Sequence, residues 1–497
     1  MPHSWLEQQI AAANQGKIGL IDIGSNSIRM VVYDRLKRAP SAIYNEKVMC
    51  QLGKGLALDG KLNPDGVKLA HKAIARFISL AKNMEVTELD IVATAAVREA
   101  SDGQTFVDEL ERAHNIHIEV LSGKREAKLG AYGILSSMHE PVGIAGDLGG
   151  GSLELVALDK QQRIGERISL PIGVLRLLDE CDSPEAIRDK TRAILQKESW
   201  LSQQQGQTFY AIGGSFRNLA RIHSLSTNYP LPLTHGYTIK TKDTSKLLKR
   251  VSSASPSELA DMAGISTKRI PVLPAAAIMM DELLRLIQPS HITFSSSGIR
   301  EGYLYEKLSP FIREEDVLIA SCIELPGTIY HSRSYAGELF EWMQGMLHKQ
   351  SQRSMRVAYS ACLLQDIARY ILPDHRGEWA FERIMQSNLH GIDHQQRVQL
   401  ALTLYHRYRF KRKHAFAELT LLSDKHIYWA ELVGSIASLA HHLTGGIAGT
   451  LPRIKLEIKK QRCALILPDN MQSLDGDVIH KRLSAIEASY AHWQTTT

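Results

Sequence analysis

The sequence is poor in cysteine and has no long apolar run. Its five cysteines among 497 residues are widely spaced and never arranged as Cys-Xaa-Xaa-Cys. This argues against a zinc cluster or a disulfide framework and favours a reducing compartment. No window approaches the ~18 to 20 uninterrupted apolar residues of a membrane span, and residues 1–17 lack the apolar core of a signal peptide. We therefore expect a cytoplasmic protein without a membrane span.

Aromatic residues are also scarce, at 6% of the chain, whereas hydrophobic residues make up 44% and charged residues 23%. The last two values are ordinary for a globular protein with sizeable cores, so disorder is not expected. At roughly 100 to 200 residues per domain, the length predicts three or four domains.

Two short segments carry the clearest chemical signal. Residues 21–27 read Ile-Asp-Ile-Gly-Ser-Asn-Ser, and residues 146–154 read Gly-Asp-Leu-Gly-Gly-Gly-Ser-Leu-Glu. In each, an apolar run ends in Asp and then turns through glycines and hydroxyls. Backbone N–H groups can therefore face a phosphate while the carboxylate faces a metal. A single copy is also compatible with an ordinary turn, because these residue types favour turns, but the matched pair favours two facing phosphate loops.

The spacing of the two segments predicts the architecture. Asp22 and Asp147 lie 125 residues apart, close to one domain length, which indicates a duplicated α/β domain with a phosphate cleft between its halves. Strands are predicted at 18–23, 28–33, 89–94, 116–121, 142–147, 153–158 and 292–294, and helices at 64–82, 108–115 and from about Glu301. We place the duplicated halves at 1–131 and 132–307, a helical domain at 308–445 and a small α+β domain at 446–497.

Carboxylates beside the two loops can support hydrolysis. Asp22 and Asp147, facing each other across the cleft, can hold Mg²⁺ directly or through water, because hard cations prefer carboxylate oxygen. The loop donors to phosphate oxygens would be Ser25, Asn26, Ser27, Gly149, Gly150, Gly151 and Ser152. Hydrolysis also needs a base that positions water, for which Glu126 and Glu154 are the candidates.

We prefer Glu126 as the base. It lies where a predicted strand gives way to a helix, a junction that would point toward the cleft, whereas Glu154 would more naturally support the metal. On local evidence, Glu126 is equally a first-turn acid that interacts with the helix dipole. Arg98, which we place at the end of an apolar strand, is either a phosphate clamp or one half of a salt bridge.

Several co-linear segments between residues 18 and 307 resemble the exopolyphosphatase and guanosine pentaphosphate phosphohydrolase family. They are Asp22-Ile-Gly-Ser-Asn-Ser27, Ala93-Thr-Ala-Ala-Val-Arg98, Ser122-Gly-Lys-Arg-Glu-Ala127, Asp147-Leu-Gly-Gly-Gly-Ser-Leu-Glu154, Gly213-Gly-Ser215 and Gly298-Ile-Arg-Glu-Gly302. Lys124 and Arg125 depart from members that carry extra acids before the base.

The resemblance implies an actin-like, sugar-kinase-like duplicated fold. It also implies removal of terminal phosphates from inorganic polyphosphate, or of the terminal phosphate from guanosine pentaphosphate, with Mg²⁺ and often with K⁺ as an aid. Glu126 matches the family's base, and Asp147 and Glu154 match its metal- and phosphate-binding acids, to which we add Asp22. The predicted substrate contacts are Gly24, Ser25, Asn26, Ser27, Arg98, Gly149, Gly150, Gly151, Ser152, Gly213, Gly214, Ser215 and Arg300. A homodimer is expected from the resemblance alone.

The region after residue 308 resembles, more weakly, metal-dependent phosphohydrolase domains that carry a His-Asp pair. Here Gln365 precedes Asp366 where that pair's His would stand. Asp366, His375, His390 and His394 therefore make a poor metal set, and we expect a structural, polyanion-binding domain.

Basic residues cluster late in the chain, at 406–414 and again between Arg453 and Arg462. Such runs attract polyanions, although each is also typical of a solvated helix face. They tilt the expectation toward polyphosphate as substrate, with guanosine pentaphosphate as the alternative. A sugar-kinase-like phosphotransferase and a non-catalytic polyphosphate-binding regulator stay open as more distant readings, because fold does not fix function.

Overall fold

The protein is described here by a computed structural model, which covers residues 16–161, 163–262, 267–325, 332–347, 350–409, 416–459 and 462–496. It divides into a first compact unit that ends at Glu315 and a second that begins at Asp316. The four domain boundaries drawn from the sequence stay predictions.

The first unit contains two mixed β-sheets. The first sheet has the strand order β3-β2-β1-β4-β5 and the second has the order β10-β11-β9-β6-β7-β8. The strands are β1 (Lys17–Ile23), β2 (Ile28–Tyr33), β3 (Ala42–Val48), β4 (Val86–Ala93), β5 (Glu119–Val120), β6 (Gly143–Leu148), β7 (Leu153–Leu158), β8 (Ile164–Leu170), β9 (Thr208–Ile212), β10 (Thr238–Lys240) and β11 (His291–Phe294).

The two sheets repeat one topology. In each, a first strand pairs antiparallel with the second and parallel with a later strand: β1 with β2 and β4, and β6 with β7 and β9. The third strand of each set, β3 or β8, extends the antiparallel side. The predicted duplication of an α/β domain is confirmed.

Thirteen helices accompany these strands in the described part of the first unit. They are α1 (Leu56–Asp59), α2 (Pro64–Asn83), α3 (Ala95–Glu99), α4 (Gly103–His114), α5 (Gly123–Ser137), α6 (Val174–Glu180), α7 (Pro184–Leu195), α8 (Gly214–Ser226), α9 (Thr241–Ser253), α10 (Pro256–Asp261), α11 (Leu273–Ile287), α12 (Ile299–Lys307) and α13 (Pro310–Arg313). Short 3₁₀ segments occur at Ser199–Gln204 and Thr267–Val272.

Both faces of β1 are buried, because successive side chains of a strand point to opposite faces. Ile21 and Ile23 pack with Phe77 of α2 and Phe106 of α4, whereas Leu20 packs with α5. The apolar run that predicted the strand therefore reflects a sheet covered by helices on both sides.

Helix α5 lies between the two sheets. Its Leu129 belongs to a cluster with the first sheet, and its Ile134 packs with Ala145 and Tyr210 of the second. A Cβ on Gly302 of α12 would overlap the carbonyl group of Leu129. Only glycine allows this backbone contact, which sets the beginnings of α5 and α12 beside one cleft.

The second unit is mainly helical. Its elements are α14 (Val317–Glu324), α15 (Ser332–Gln344), α16 (Gln352–Leu363), α17 (Arg376–Gln386), α18 (His394–Tyr408), α19 (Asp424–Thr444), the hairpin β12 (Lys455–Lys459) and β13 (Arg462–Ile466), and α20 (Asp477–Gln494). These elements agree with the helical region followed by an α+β end that the sequence predicts, and α19 is largely buried. Among the described helices of the chain, none is long and apolar enough to cross a membrane.

The interpretation of 406–414 as a solvent-facing basic run is wrong for its first residues. His406 and Arg407 are 5% and 4% exposed, because both lie on the buried part of α18. Arg409 forms an ion pair with Glu378 at 3.0 Å. Residues 410–415, which include Lys411 and Arg412, lie outside the described chain.

Candidate active site

The two predicted phosphate loops are hairpin turns of the same form. The N–H of Gly24 donates to the carbonyl of Ser27 at 3.1 Å, and that of Gly149 donates to Ser152 at 3.0 Å. Within the flanking strands, Asp22 lies opposite Arg29 and Asp147 lies opposite Glu154. The two motifs, which lie 125 residues apart in the sequence, therefore form equivalent turns, one in each sheet.

The loops also touch each other. A Cβ on Gly150 would lie 3.0 Å from the Ser25 Cβ, and one on Gly151 would lie 3.5 Å from the Ser25 Oγ. A hydrogen bond from a neighbouring segment stabilises the first loop: the N–H of Gly53 donates to the Ser25 carbonyl at 2.8 Å. Two facing loops follow from this arrangement, as the repeated motif predicted.

A cleft of about 1080 Å³ of empty space opens in front of the loops. All predicted site residues except Arg98 line it. These are Asp22, Gly24, Ser25, Asn26, Ser27, Glu126, Asp147, Gly149, Gly150, Gly151, Ser152, Glu154, Gly213, Gly214, Ser215 and Arg300. The tertiary fold therefore brings together segments that are nearly 280 residues apart in the chain.

Three carboxylates of the cleft have raised pKa values. Burial raises the pKa of Glu126 to about 7, and the charges of Asp147 and Asp22 act in the same direction against the guanidinium of Arg98. Burial likewise raises the pKa of Asp147 to about 6. Burial and then the charge of Glu126 raise the pKa of Glu154 well above its usual range. Such grouped, perturbed carboxyls in a cleft are typical of functional sites.

Glu126 is positioned by the beginning of α5. The Ser122 hydroxyl caps this helix by accepting from the N–H of Arg125 at 3.3 Å, and Glu126 follows in the first turn. Its side chain is buried, with 6% exposure. The predicted junction of strand and helix is thus present, and it turns Glu126 into the cleft.

The sequence analysis placed Arg98 at the end of a strand, and this prediction is wrong. Strand β4 stops at Ala93 and Arg98 lies in the short helix α3, because the chain turns into a helix directly after Thr94. Its Nη1 donates to the Glu126 Oε2 at 2.9 Å and to the Leu121 carbonyl at 2.7 Å. Arg98 therefore binds the carboxylate of the candidate base without itself lining the cleft. Its role as a phosphate contact stays a prediction.

Arg300 begins α12 and contacts the first loop's aspartate. Its Nη1 donates to the Asp22 Oδ2 at 2.9 Å. The next residue, Glu301, accepts from the N–H of Gly298 at 2.8 Å and from the Tyr33 hydroxyl at 3.3 Å. Burial disfavours the charged guanidinium, but Glu301 and Asp22 outweigh this effect and raise the pKa of Arg300.

Sequence reasoning missed three further cations of the cleft: Lys47, Arg217 and Arg269. Burial, with the charges of Arg269, Arg29, Arg217 and Arg300, lowers the pKa of Lys47 to about 8. Burial, with Arg300, lowers the pKa of Arg217 to about 10. Because these positive charges repel one another, the cleft has a positive potential, and a bound anion would relieve the repulsion.

One signal could have identified Arg217. It lies in the first turn of α8, where the helix dipole disfavours a cation, so its presence there indicates another purpose. Lys47 lies in β3 and Arg269 in a 3₁₀ segment, with no local pattern that marks either one.

Gly213 fixes the space beside Asp147. Its φ is +102°, and a Cβ there would lie 2.5 Å from the Leu148 carbonyl oxygen and 3.1 Å from the Asp147 Oδ1. Only glycine suits both the backbone angle and the close approach. The Gly-Gly-Ser turn therefore serves to seat this carboxylate.

The cleft carboxylates suit a magnesium ion held mainly by the substrate. Asp147 is half-buried, and burial and neighbouring charges, rather than a hydrogen bond, account for its shifted pKa. Within the described residues, no group of three or more His, Cys, Asp or Glu side chains could hold a metal. Mg²⁺ commonly uses one or two carboxylates and completes its shell with water and phosphate oxygens. Asp147 fits this pattern best, because Asp22 is engaged by Arg300 and Glu154 accepts from the Ser169 hydroxyl at 2.7 Å.

Comparison with known families gives two matches along the chain. The family described as the Ppx/GppA phosphatase family matches residues 31–311, more than half of the chain. A second family, described as exopolyphosphatase, C-terminal, matches residues 318–491.

Individual relatives agree with these matches. Exopolyphosphatase 1 of Mycobacterium leprae is 26% identical over 306 residues, which cover 59% of this chain and 89% of that protein. The crystal structure of an exopolyphosphatase from Cytophaga hutchinsonii has a TM-score of 0.54 and 25% identity, over 58% of this chain and 96% of that one. The Aquifex aeolicus member of the Ppx/GppA family has a TM-score of 0.51 and 24% identity, over 59% and 99%. These likenesses confirm the predicted actin-like fold.

Proposed function

Because the chain belongs to the Ppx/GppA phosphatase family and is a phosphatase, we propose that it releases terminal orthophosphate from inorganic polyphosphate with Mg²⁺. The reaction takes place in the cleft between the two glycine loops. This is the substrate and site that the sequence predicted, now argued from the cleft itself.

The observation that carries the proposal is the composition of the cleft wall. Glycine turns and hydroxyls line the cleft together with the cations Lys47, Arg217, Arg269 and Arg300. No aromatic side chain occurs among the described residues that line the cleft. A guanine base would need a stacking surface, whereas a chain of phosphates needs only donors and positive charge. The wall therefore favours the polymer over guanosine pentaphosphate.

The carboxylates divide the chemistry between them. A water molecule bound to Glu126 attacks the terminal phosphorus, its proton passes to the Glu126 carboxylate, and the bridging P–O bond breaks. Orthophosphate and a chain shorter by one unit leave. A base with a pKa of about 7 suits proton transfer at neutral pH.

Charge stabilisation comes from the remaining groups. When bound at Asp147, with Glu154 nearby, Mg²⁺ would reduce the repulsion between carboxylates and phosphate oxygens. Arg300 and Arg217 supply donors to the phosphate, while Arg98 keeps the Glu126 carboxylate in place through its 2.9 Å contact. Water as acceptor, rather than a sugar, follows from a base placed directly beside the loops.

The test is phosphate release by the purified protein from long polyphosphate and, in parallel, from guanosine pentaphosphate. We expect faster release from the polymer, loss of activity when EDTA removes Mg²⁺, and a fall of ~10²-fold or more in Glu126→Gln. Glu109→Gln is the matched control, because Glu109 is half exposed on α4 and outside the cleft. Faster release from the nucleotide would replace the polymer as substrate, and no release from either would contradict a hydrolytic function.

A further inference from the structure

Among the described residues of the second unit, three arginines are buried, and two of them are well hydrogen-bonded. Arg397 donates to three backbone carbonyls at 2.7 to 2.9 Å. Arg356 forms an ion pair with Asp316 and donates to the Gly391 carbonyl at 2.6 Å. Both agree with the general observation that a buried charge is accompanied by hydrogen-bond partners.

The third buried arginine, Arg407 of α18, is the exception. It is 4% exposed, yet its Nε has no hydrogen-bond partner among the residues that the structure describes. Its ion pair with Asp366 is loose, because the Arg407 Nη2 lies 3.8 Å from the Asp366 Oδ1, too far for a hydrogen bond. A buried guanidinium with an unpaired donor indicates that a further acceptor belongs beside it.

A vacant position lies at the other oxygen of the same carboxylate. Gly446, just after α19, has a φ of +79°, and the atoms nearest to a Cβ built on it would be the His441 Nδ1 at 3.4 Å and the Asp366 Oδ2 at 3.6 Å. The His441 Nδ1 is itself buried and without a hydrogen-bond partner in the described part of the chain. The preceding residue, Gly445, is exposed, and a Cβ there would meet no atom within 4 Å, so this segment leaves room for a ligand.

The charges that act on this position are mainly positive. Burial and then the charge of Arg407 lower the pKa of His441 to about 3, and the charges of Arg369 and Arg376 act in the same direction. The His441 imidazole is therefore neutral. Burial raises the pKa of Asp366, against the charges of Arg407 and Arg369. Three guanidinium groups thus accompany one carboxylate, and their positive potential favours an anion.

The same position also presents acceptors. Gln365 is fully buried, and its Nε2 donates to the Asp366 Oδ2 at 3.0 Å. Its Oε1 has no hydrogen-bond partner within the described residues. A ligand that suits the position must therefore be an anion that accepts from Arg407 and also carries a hydrogen for an acceptor such as Asp366. Orthophosphate has both properties, because both of its ionic forms at neutral pH keep a hydroxyl group.

We propose that Arg407, His441 and Asp366 form a phosphate site in the second unit. The phosphoryl group accepts from the Arg407 Nε and from His441, and it donates its hydroxyl hydrogen to Asp366. The ligand is a phosphoryl group with a free hydroxyl, either orthophosphate or the end of a phosphate chain. Sulfate has the same shape but no hydrogen at neutral pH, so it would set an oxygen against Asp366 with no hydrogen bond between them. None of the three residues lines the cleft of the first unit.

The test follows amide hydrogen exchange along the whole chain, peptide by peptide, with orthophosphate or sulfate at neutral pH. With orthophosphate at about ten times its Kd, we expect exchange at residues 441–449 to slow by ~10-fold, because the ligand must leave before this segment opens. Sulfate should bind ~10-fold or more weakly, because it leaves an acceptor unpaired. Peptides of the cleft loops report any phosphate bound there separately. Hydrolysis does not enter this measurement, so a failure of the proposed function would not alter its outcome.

Two neighbouring glycines provide a matched pair of variants. Gly446→Ala fills the vacant position and should abolish the slowing of exchange. Gly445→Ala is the control, because Gly445 also has a positive φ of 63° but no atom within 4 Å of the added Cβ, so the slowing should persist. Asp366→Asn should let sulfate bind as well as orthophosphate, because an amide can donate to either anion. Arg407→Met should abolish binding of both anions, and if it does not fold, the glycine pair decides.

Exchange at residues 441–449 that does not respond to orthophosphate would overturn the site. Equal binding of sulfate by the wild type would also overturn it, because that result indicates attraction by charge alone. An equal loss in Gly445→Ala and Gly446→Ala would do the same, since it indicates backbone strain. Tripolyphosphate distinguishes the two sources of the ligand: if it slows exchange at 441–449 as orthophosphate does, the site accepts a chain end, and if only orthophosphate acts, the site is for the free ion. Either result supports the phosphate site.

Discussion

The two glycine hairpins of the first unit share a backbone but hold their aspartates in opposite electrostatic settings. Asp22 accepts from the buried guanidinium of Arg300 at 2.9 Å. Asp147 has no such bond, and its pKa is raised to about 6. The residue across the strand pair differs accordingly, since Arg29 lies opposite Asp22 and Glu154 lies opposite Asp147.

This difference indicates how a duplicated fold divides its labour. The repeated hairpin supplies two sets of N–H groups at fixed positions, which a phosphate chain can use on both sides. The side chains beside the turns then give one half an aspartate paired with an arginine and the other a half-buried aspartate opposite a second carboxylate, where a cation would relieve the repulsion. We infer that the second hairpin carries the chemistry and the first holds the substrate.

The largest expected effect is the loss of the second aspartate. Asp147→Asn should reduce kcat by ~10³-fold, because it removes charge stabilisation at the reacting phosphate. Asp22→Asn should cost only ~10-fold, because its main contact is to Arg300. Both are measured as phosphate release at saturating Mg²⁺, with thermal unfolding as the check on folding. Equal losses in the two variants would contradict the division of labour.

The second largest loss of kcat is expected at Gly213, which lies against the Asp147 carboxylate. Gly213→Ala places a methyl group 3.1 Å from the Asp147 Oδ1 and 2.5 Å from the Leu148 carbonyl, and we expect a fall of ~10²-fold in kcat from the displaced carboxylate. Gly206→Ala is the control, because Gly206 also has a positive φ of 78° but no atom within 4 Å of the added Cβ. A similar loss in both variants would point to backbone strain alone.

The charges of Asp147 and Asp22 both raise the pKa of Glu126, so the pH dependence of activity can report the electrostatic environment of Glu126. As a base it must be ionised, so kcat should rise with pH through an inflection near 7. Arg98→Met should move the inflection to higher pH, because the guanidinium lowers the pKa of Glu126. An unchanged inflection in this variant would contradict the inference that Arg98 positions the Glu126 carboxylate.

The same group makes a prediction for stability. The folded state holds the Glu126 proton up to about pH 7, whereas the unfolded state releases it near the ordinary value of 4.5. Between these values the folded state binds more protons, so its stability falls as the pH rises. Glu126→Gln should remove this contribution, and its Tm relative to the wild type should therefore be higher at pH 8 than at pH 5.

The smallest expected effect concerns the cations of the first half. Lys47→Met should raise KM for polyphosphate by ~10-fold with little change in kcat, the loss expected for one charge-assisted contact. With a pKa of about 8, wild-type affinity should weaken as the pH rises through 8. Lys54→Met, at an exposed residue outside the cleft, is the control. A fall in kcat instead would place Lys47 at the reacting phosphate.

The sequence predicted the catalytic frame more fully than the substrate path. The hairpins around Gly24 and Gly149 and the helix start at Glu126 were all visible as local patterns, since turn residues and apolar periodicity act over a few residues. Lys47 and Arg269 were not, because each belongs to an element whose own pattern gives no reason for a cation in the cleft. Arg98 was placed in the wrong element because the five-residue helix after β4 begins with Ala-Ala-Val, which continues the apolar run of the strand.

The second unit shows the reverse error. Basic residues adjacent in sequence suggested a shared, solvent-facing surface, yet His406 and Arg407 lie inside the helical core. Charge in a linear run says nothing of burial when the run lies on a helix, because successive residues turn by about a third of a circle and reach both faces.

The sequence by itself determined the duplicated frame, the family resemblance and the carboxylates at the loops, because these depend on short motifs whose geometry is local. Only the tertiary structure decided which aspartate is paired with an arginine and which cations complete the cleft. Those properties depend on groups from distant segments, such as Asp22 with Arg300, and electrostatic energy follows their separation in space rather than along the chain.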